Sequence, residues 1–351
     1  VTAVPALDAG SAAAPFTKIM GVTELDIARI NAIRQSRPEG LSYGMMVSDE
    51  SFITDDGRVG GFTRLICERL STLFGIRFVP KLLGWSDLVK GLDTFELDLT
   101  GELTSTPERQ NKYHFTSPIA ERGFTVYRHA SHPELDLIHG SERYRHGFFE
   151  DSVTYNRVRD TSEIPFEPVF VPNYHAAAEA MRSGRVDAVI CESMMDSAFE
   201  AYPDIAYQKY YPLTYTTVSL ATANPEILPI IEVFQKYLDT GGTEELFDLN
   251  RQGGREYLRH KLLTQLTDEE REFVLQTTRD GKAVPVVAEF DNYPASFYNW
   301  QEKEWHGVSH DILNEIGNLT GLRFKVVNAP EDVWTTILAK LEIGEASVIT
   351  H

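Results

Sequence analysis

The run Gly61-Phe-Thr-Arg-Leu-Ile-Cys-Glu-Arg-Leu-Ser-Thr-Leu-Phe-Gly-Ile-Arg-Phe78 decides the fold. Phe62, Ile66, Leu70 and Leu73 recur at helical spacing and form one apolar face. Gly75 supplies a left-handed helix end, and Arg77-Phe78 opens a strand. With a strand read over Leu41 to Val47, the unit is strand–helix–strand. The run returns as Gly307-Val-Ser-His-Asp-Ile-Leu-Asn-Glu-Ile-Gly-Asn-Leu-Thr-Gly-Leu-Arg-Phe324, identical at six of 18 positions, against about one by chance. Apolar character is kept at Phe62/Val308, Ile66/Ile312, Leu70/Ile316, Leu73/Leu319 and Ile76/Leu322.

The similarity extends outward. Thr23 and Thr267 each precede acids and read as helix N-caps. Trp85 and Trp334 each open a short amphipathic helix, and Leu97 to Thr100 pairs with Ser347 to Thr350 as strands. One unit is expected over 41–250 and a second from 284, joined by a linker helix over 251–283. Val1 to Ala14 reads as a loose leader, followed by a helix before residue 40. The second unit, 284–351, is too short to close the same fold and reads as an incomplete copy. Within the first, strands alternate with helices through Cys191, and Tyr215 to Thr222 runs back. Ser152 is a candidate cap, and Asn173 caps a helix ended by Gly184. The order predicts two α/β lobes, about 41–125 with 215–250 and about 126–214. A cleft between lobes is a common ligand site.

The chain has 351 residues and a formal net charge of −19, which speaks against a phosphate-backbone partner. The densest basic stretch, Arg143 to His146, is too short to change that. No apolar run reaches membrane-spanning length, so membrane attachment would come only through segments outside this sequence. Cys67 and Cys191 lie in apolar runs and read as buried thiols. His129, His132 and His139 lack acids or cysteines to complete a metal set. No catalytic constellation and no cofactor motif is present, and the reading is of a binding protein rather than an enzyme.

Gly101-Glu-Leu-Thr-Ser-Thr106-Pro107-Glu108-Arg109, followed by Phe115-Thr-Ser-Pro118, resembles the family 3 extracellular solute-binding proteins, which have a two-lobed periplasmic-binding-protein fold. The family pattern is a strand, a Thr-x-x-Arg turn, then Phe-Ser-x-Pro-Tyr, with Ile119 here in place of Tyr. Gly184-Arg-Val-Asp187-Ala188 resembles the second-lobe strand, and Pro294, Phe297 and Tyr298 resemble the loop after the first strand.

The resemblance implies that Arg109 holds a ligand carboxylate, for which its planar fork is suited, with help from the turn at Thr104 and Thr106. Glu192 stands where the family has Asp against the ligand's ammonium. Phe52, preceded by Ser51 rather than Pro, would form a cleft wall. Glu102 falls at a strand-end ligand position, where it could neutralise Arg109. Ser152 opens a second-lobe helix whose N–H groups could receive an anion. Tandem copies of such domains resemble sensor ectodomains of bacterial histidine kinases and diguanylate cyclases. The expected function is therefore extracytoplasmic sensing of a small amino acid or carboxylate, in a membrane-anchored protein that admits a homodimer. The alternatives are an ABC-transport component, a lytic enzyme on the same fold, and a non-binding spacer.

Overall fold

The computed structural model describes residues 15–132, 144–162, 164–193, 196–199 and 201–350. The expected leader Val1 to Ala14 and His139 lie outside them. The described chain divides into two compact units, after Tyr257.

The first unit opens with helix α1 (Glu24–Ser36), capped by Thr23 and Asp26 in a reciprocal capping box. Its strands are β1 (Leu41–Met45), the hairpin β2 (Phe52–Ile53) and β3 (Val59–Gly60), β4 (Phe78–Leu82), β5 (Leu99–Leu103), β6 (His114–His129), β7 (Tyr144–Phe149), β8 (Phe166–Val171), β9 (Ala188–Glu192), β10 (Ile205–Lys209) and β11 (Tyr215–Thr222). Between them lie α2 (Phe62–Phe74), α3 (Trp85–Asp93), α4 (Pro107–Gln110), α5 (Thr154–Thr161), α6 (Tyr174–Arg182) and α7 (Asp196–Phe199). Helices α8 (Leu228–Tyr237) and α9 (Thr243–Gln265) follow.

The sheet runs β4-β1-β5-β11-β6-β9-β7-β8, with β10 also on β6. Strand β6 joins the two lobes. Its residues 114–123 pair antiparallel with β11 in the first lobe. Its residues 124–129 pair antiparallel with β9 and β10 in the second. The strand is long, 16 residues from His114 to His129. Phe115 to Pro118 carry no alternation strong enough to show a strand in isolation, and pairing with β11 supplies it.

Helix α2 buries Phe62, Leu65, Ile66, Leu70, Leu73 and Phe74, and Gly75 ends it in the left-handed conformation. All of these but Leu65 meet Leu41, Tyr43, Ile230 and Phe234 in one core, where each large apolar side chain contributes about 1.5–3 kcal/mol. Helix α9 starts at Thr243, ahead of the expected linker, and Gly253 and Tyr257 are buried in the first unit. A Cβ on Gly253 would stand 2.7 Å from Phe62 Cα, so only glycine admits the close approach of α9 to the start of α2.

The second unit holds α10 (Asp268–Arg279), capped by Thr267 and Glu270. Strand β12 (Ala283–Ala288), the strands β13 (Asp291–Asn292), β14 (Ser296–Asn299) and β15 (Glu304–His306), α11 (Val308–Thr320), β16 (Arg323–Val326), α12 (Trp334–Glu342) and β17 (Val348–Thr350) follow. Its parallel sheet β16-β12-β17 has the same order as β4-β1-β5. Gly321 closes α11 in the left-handed conformation, as Gly75 closes α2. The side chains behave differently: Val308 and Ile312 are each 54% exposed, whereas Phe62 and Ile66 are buried. Trp334 is 41% exposed, whereas its counterpart Trp85 is buried.

Candidate functional site

Strand β5 leads into α4, whose N-cap is Thr106 with Pro107 in the first turn. The Thr106 hydroxyl accepts from Arg109 N–H at 3.3 Å, which sets where Arg109 leaves the helix. The guanidinium then reaches across the cleft. Nη1 donates to Thr104 O at 3.1 Å in the first lobe, and Nη2 donates to Asp151 O at 2.7 Å in the second. Its carbon lies 5.7 Å from the Trp85 ring centre. Asp151 adopts a left-handed backbone, φ 57°. Trp85 Nε1 donates to Glu150 O, and Tyr174 Oη lies 3.4 Å from Met46 Sδ. Among the described residues Arg109 has no carboxylate partner, and burial pushes its pKa below the usual arginine value.

These contacts bound a cavity of about 20 Å³, room for little more than one water molecule. Its walls include Met46, Trp85, Arg109, Phe149, Ser152 and Glu192, so both lobes contribute. An amino-acid-sized ligand enters only when the lobes separate.

Beside the cavity lies a charge network centred on Arg122, whose side chain is 2% exposed. It donates to Glu102 Oε2 at 2.6 Å and Glu192 Oε2 at 2.8 Å through Nη1, and to Glu50 Oε2 at 2.9 Å through Nη2. Glu102 Oε1 accepts Met46 N–H at 3.2 Å, and Glu50 Oε1 accepts from Asn250 of α9 at 3.3 Å. Burial raises the Glu102 pKa against the lowering pull of Arg122, and three carboxylates hold the Arg122 pKa far above its ordinary value. Arg122 stands on β6 next to the point where that strand passes between lobes, so it ties β5, β9 and the loop after β1 together.

Residues 45–198 match the model of bacterial extracellular solute-binding proteins, family 3. This stretch is similar to the solute-binding domains of that family. No curated protein matches the chain. Among solved structures, a double-mutant BvgS VFT2 domain of Bordetella pertussis is 16% identical, over 64% of this chain and 97% of that one, with a TM-score of 0.50. An amino acid ABC transporter substrate-binding protein of Streptococcus pneumoniae bound to L-arginine is 17% identical, over 63% and 97%, with a TM-score of 0.48. Holo ArgBP from T. maritima is 20% identical, over 59% and 92%, with a TM-score of 0.47. The family match and the BvgS likeness agree with the two-lobed α/β architecture. Among the described residues no helix is long and apolar enough to cross a membrane.

In the first unit the structure brings Arg109, Thr104, Glu102, Ser152 and Glu192 to the walls of one cavity. Thr106 is outside the lining and acts through its cap on α4. Phe52 is not brought there. It is buried in the β2–β3 hairpin, 5.5 Å ring to ring from Tyr257 of α9, and its own ring edge lies over Gly60. Ser152 is not the helix cap, because Val153 holds that position with no side-chain bond, and Ser152 Oγ is left without a partner. Glu102 does not neutralise Arg109; it pairs with Arg122. Arg122 escaped the sequence reading, although it shares one strand face with Phe124 and Val126, where a buried charge calls for partners. Cys67 and Cys191 are buried and in no disulfide, in keeping with the sequence reading.

Proposed function

We propose that residues 41–250 bind a small amino acid or carboxylate between the two lobes, as the extracytoplasmic sensing region of a bacterial transmembrane signalling protein. The observation that carries the binding reading is Arg109. It is a desolvated guanidinium on the cavity wall, bonded to backbone carbonyls of both lobes and to no carboxylate among the described residues. A ligand carboxylate in the fork of Arg109 adds contacts to both sides of the cleft. It therefore favours lobe closure by the difference in its affinity for the two states. The amino acid ligand in the S. pneumoniae neighbour supports the ligand class. The sensing context draws on the second unit, whose parallel sheet repeats the strand order of β4-β1-β5.

A thermal-shift panel of amino acids and small carboxylates tests the binding. A ligand at 100 times its dissociation constant stabilises by about 2.7 kcal/mol. The stabilisation is expected to vanish in Arg109→Ala. A stabilisation that persists in the variant, or a silent panel, refutes this site. A silent panel would favour the spacer reading, for which the occupied Glu192 carboxylate is the supporting observation. For a ligand that binds, a change in the output of the membrane-embedded protein separates sensing from uptake.

A further inference from the structure

Three charged side chains line the cavity, and beside Glu102, which is paired with Arg122, the other two are not equivalent. Arg109 has no carboxylate partner among the described residues. Glu192, opposite it on β9, already has a cation: Arg122 Nη1 at 2.8 Å. We propose that Arg122 takes the place of a ligand's ammonium group, so that the cleft accepts a small carboxylate with no ammonium beside it. This rests on the reading of Arg109 as the ligand's carboxylate partner.

Three observations carry the assignment. First, Arg122 is built in rather than adventitious. It is 98% buried, sits on the strand shared by both lobes, and is held by Glu50 and Glu102 as well as Glu192. For a ligand ammonium to take Glu192 Oε2, this guanidinium has to share or surrender a bond, and a buried charge left short of partners is costly. Second, Arg122 Nη1 stands 2.8 Å from that oxygen, so an ammonium there competes with the guanidinium for the same lone pairs. A ligand without the ammonium avoids both costs and still finds Arg109. Third, the remaining walls include Met46, Trp85 and Phe149, apolar surface that suits a hydrocarbon body.

Matched pairs with and without the amino group test the proposal: alanine and propionate, leucine and isocaproate, phenylalanine and phenylpropionate, glutamate and glutarate. Each is titrated into the whole chain by calorimetry at pH 7, and into Arg109→Ala. The expected result is that at least one acid binds at least about tenfold tighter than its amino acid, the scale of one unmade charged contact, and that the affinity is lost in Arg109→Ala. An amino acid that binds as tightly as its acid, and loses affinity in Arg109→Ala, overturns the proposal while leaving the Arg109 site intact. Absence of binding by every pair, or binding indifferent to Arg109→Ala, overturns the site and the proposal with it. Arg122→Met, which frees Glu192, is expected to narrow or reverse the preference within a pair. Should that variant fail to fold, the wild-type pairs still decide.

Discussion

Acidification is expected to loosen the second lobe through His146. The side chain lies on β7, 4% exposed, with both ring nitrogens lacking hydrogen-bond partners. Its ring stacks on Phe166 with centres 4.9 Å apart. Burial lowers its pKa from 6.5 to about 4, and Asp187, already paired with Arg145, only partly offsets this. The unfolded chain therefore binds a proton that the folded chain refuses between these two values. The stability from neutral His146 is complete above pH 6.5, falls as pH drops, and is exhausted near pH 4. A shift of 2.5 units at 1.36 kcal/mol each is about 3 kcal/mol in total, of which about 2 kcal/mol is gone by pH 5. At 2–4 °C per kcal/mol for a unit of this size, that is a fall of about 4–8 °C in Tm at pH 5. Other carboxylates titrate in the same window, so the assay is differential. Melting curves of the wild type and His146→Phe are compared at pH 7, 6, 5 and 4.5, with Phe keeping the ring and removing the proton site. The gap between them should widen by that amount in favour of the variant as pH falls. Parallel curves would refute the reasoning, because they would mean that His146 is protonated to the same extent folded and unfolded.

Two further outcomes follow from packing and charge. Arg122→Met leaves Glu50, Glu102 and Glu192 without their common cation and is expected to cost about 3–5 kcal/mol at pH 7. The loss should be smaller at pH 4.5, because burial raises the Glu102 pKa and Glu102 takes up a proton there; urea denaturation at the two pH values measures it, and an equal loss at both would contradict the network. Gly253→Ala should lower Tm despite the roughly 1 kcal/mol gain in helix propensity, because the new methyl meets the Phe62 backbone; a raised Tm would show that α9 does not approach α2 that closely.

The legible parts of the fold are those that periodicity and capping report. The apolar face of α2, the Gly75 and Gly321 helix ends, the Thr23 and Thr267 caps and the Tyr215 to Thr222 strand all follow from residues within one or two turns of one another. Arg109 was legible as a cavity residue because its turn, Thr106-Pro107-Glu108-Arg109, is a local motif. Phe52 misled because its place depends on Tyr257, two hundred positions along the chain, which draws the ring into a packed hairpin. Val308 and Ile312 show the converse: they keep the pattern of a buried helix face, yet stand exposed.

By itself the sequence determined the class of fold, since alternating strands and helices and glycine-ended helices are local or collinear signals. The tertiary structure decided which charges meet. Glu50, Glu102, Arg122 and Glu192 are spread over more than 140 positions and converge only because β6 crosses from one lobe to the other beside β9. Whether Glu192 is free for a ligand or already neutralised is a question of distances of about 3 Å in a place without water. No spacing along a chain encodes that, because strand order and register, set by the burial of many side chains at once, bring those groups together.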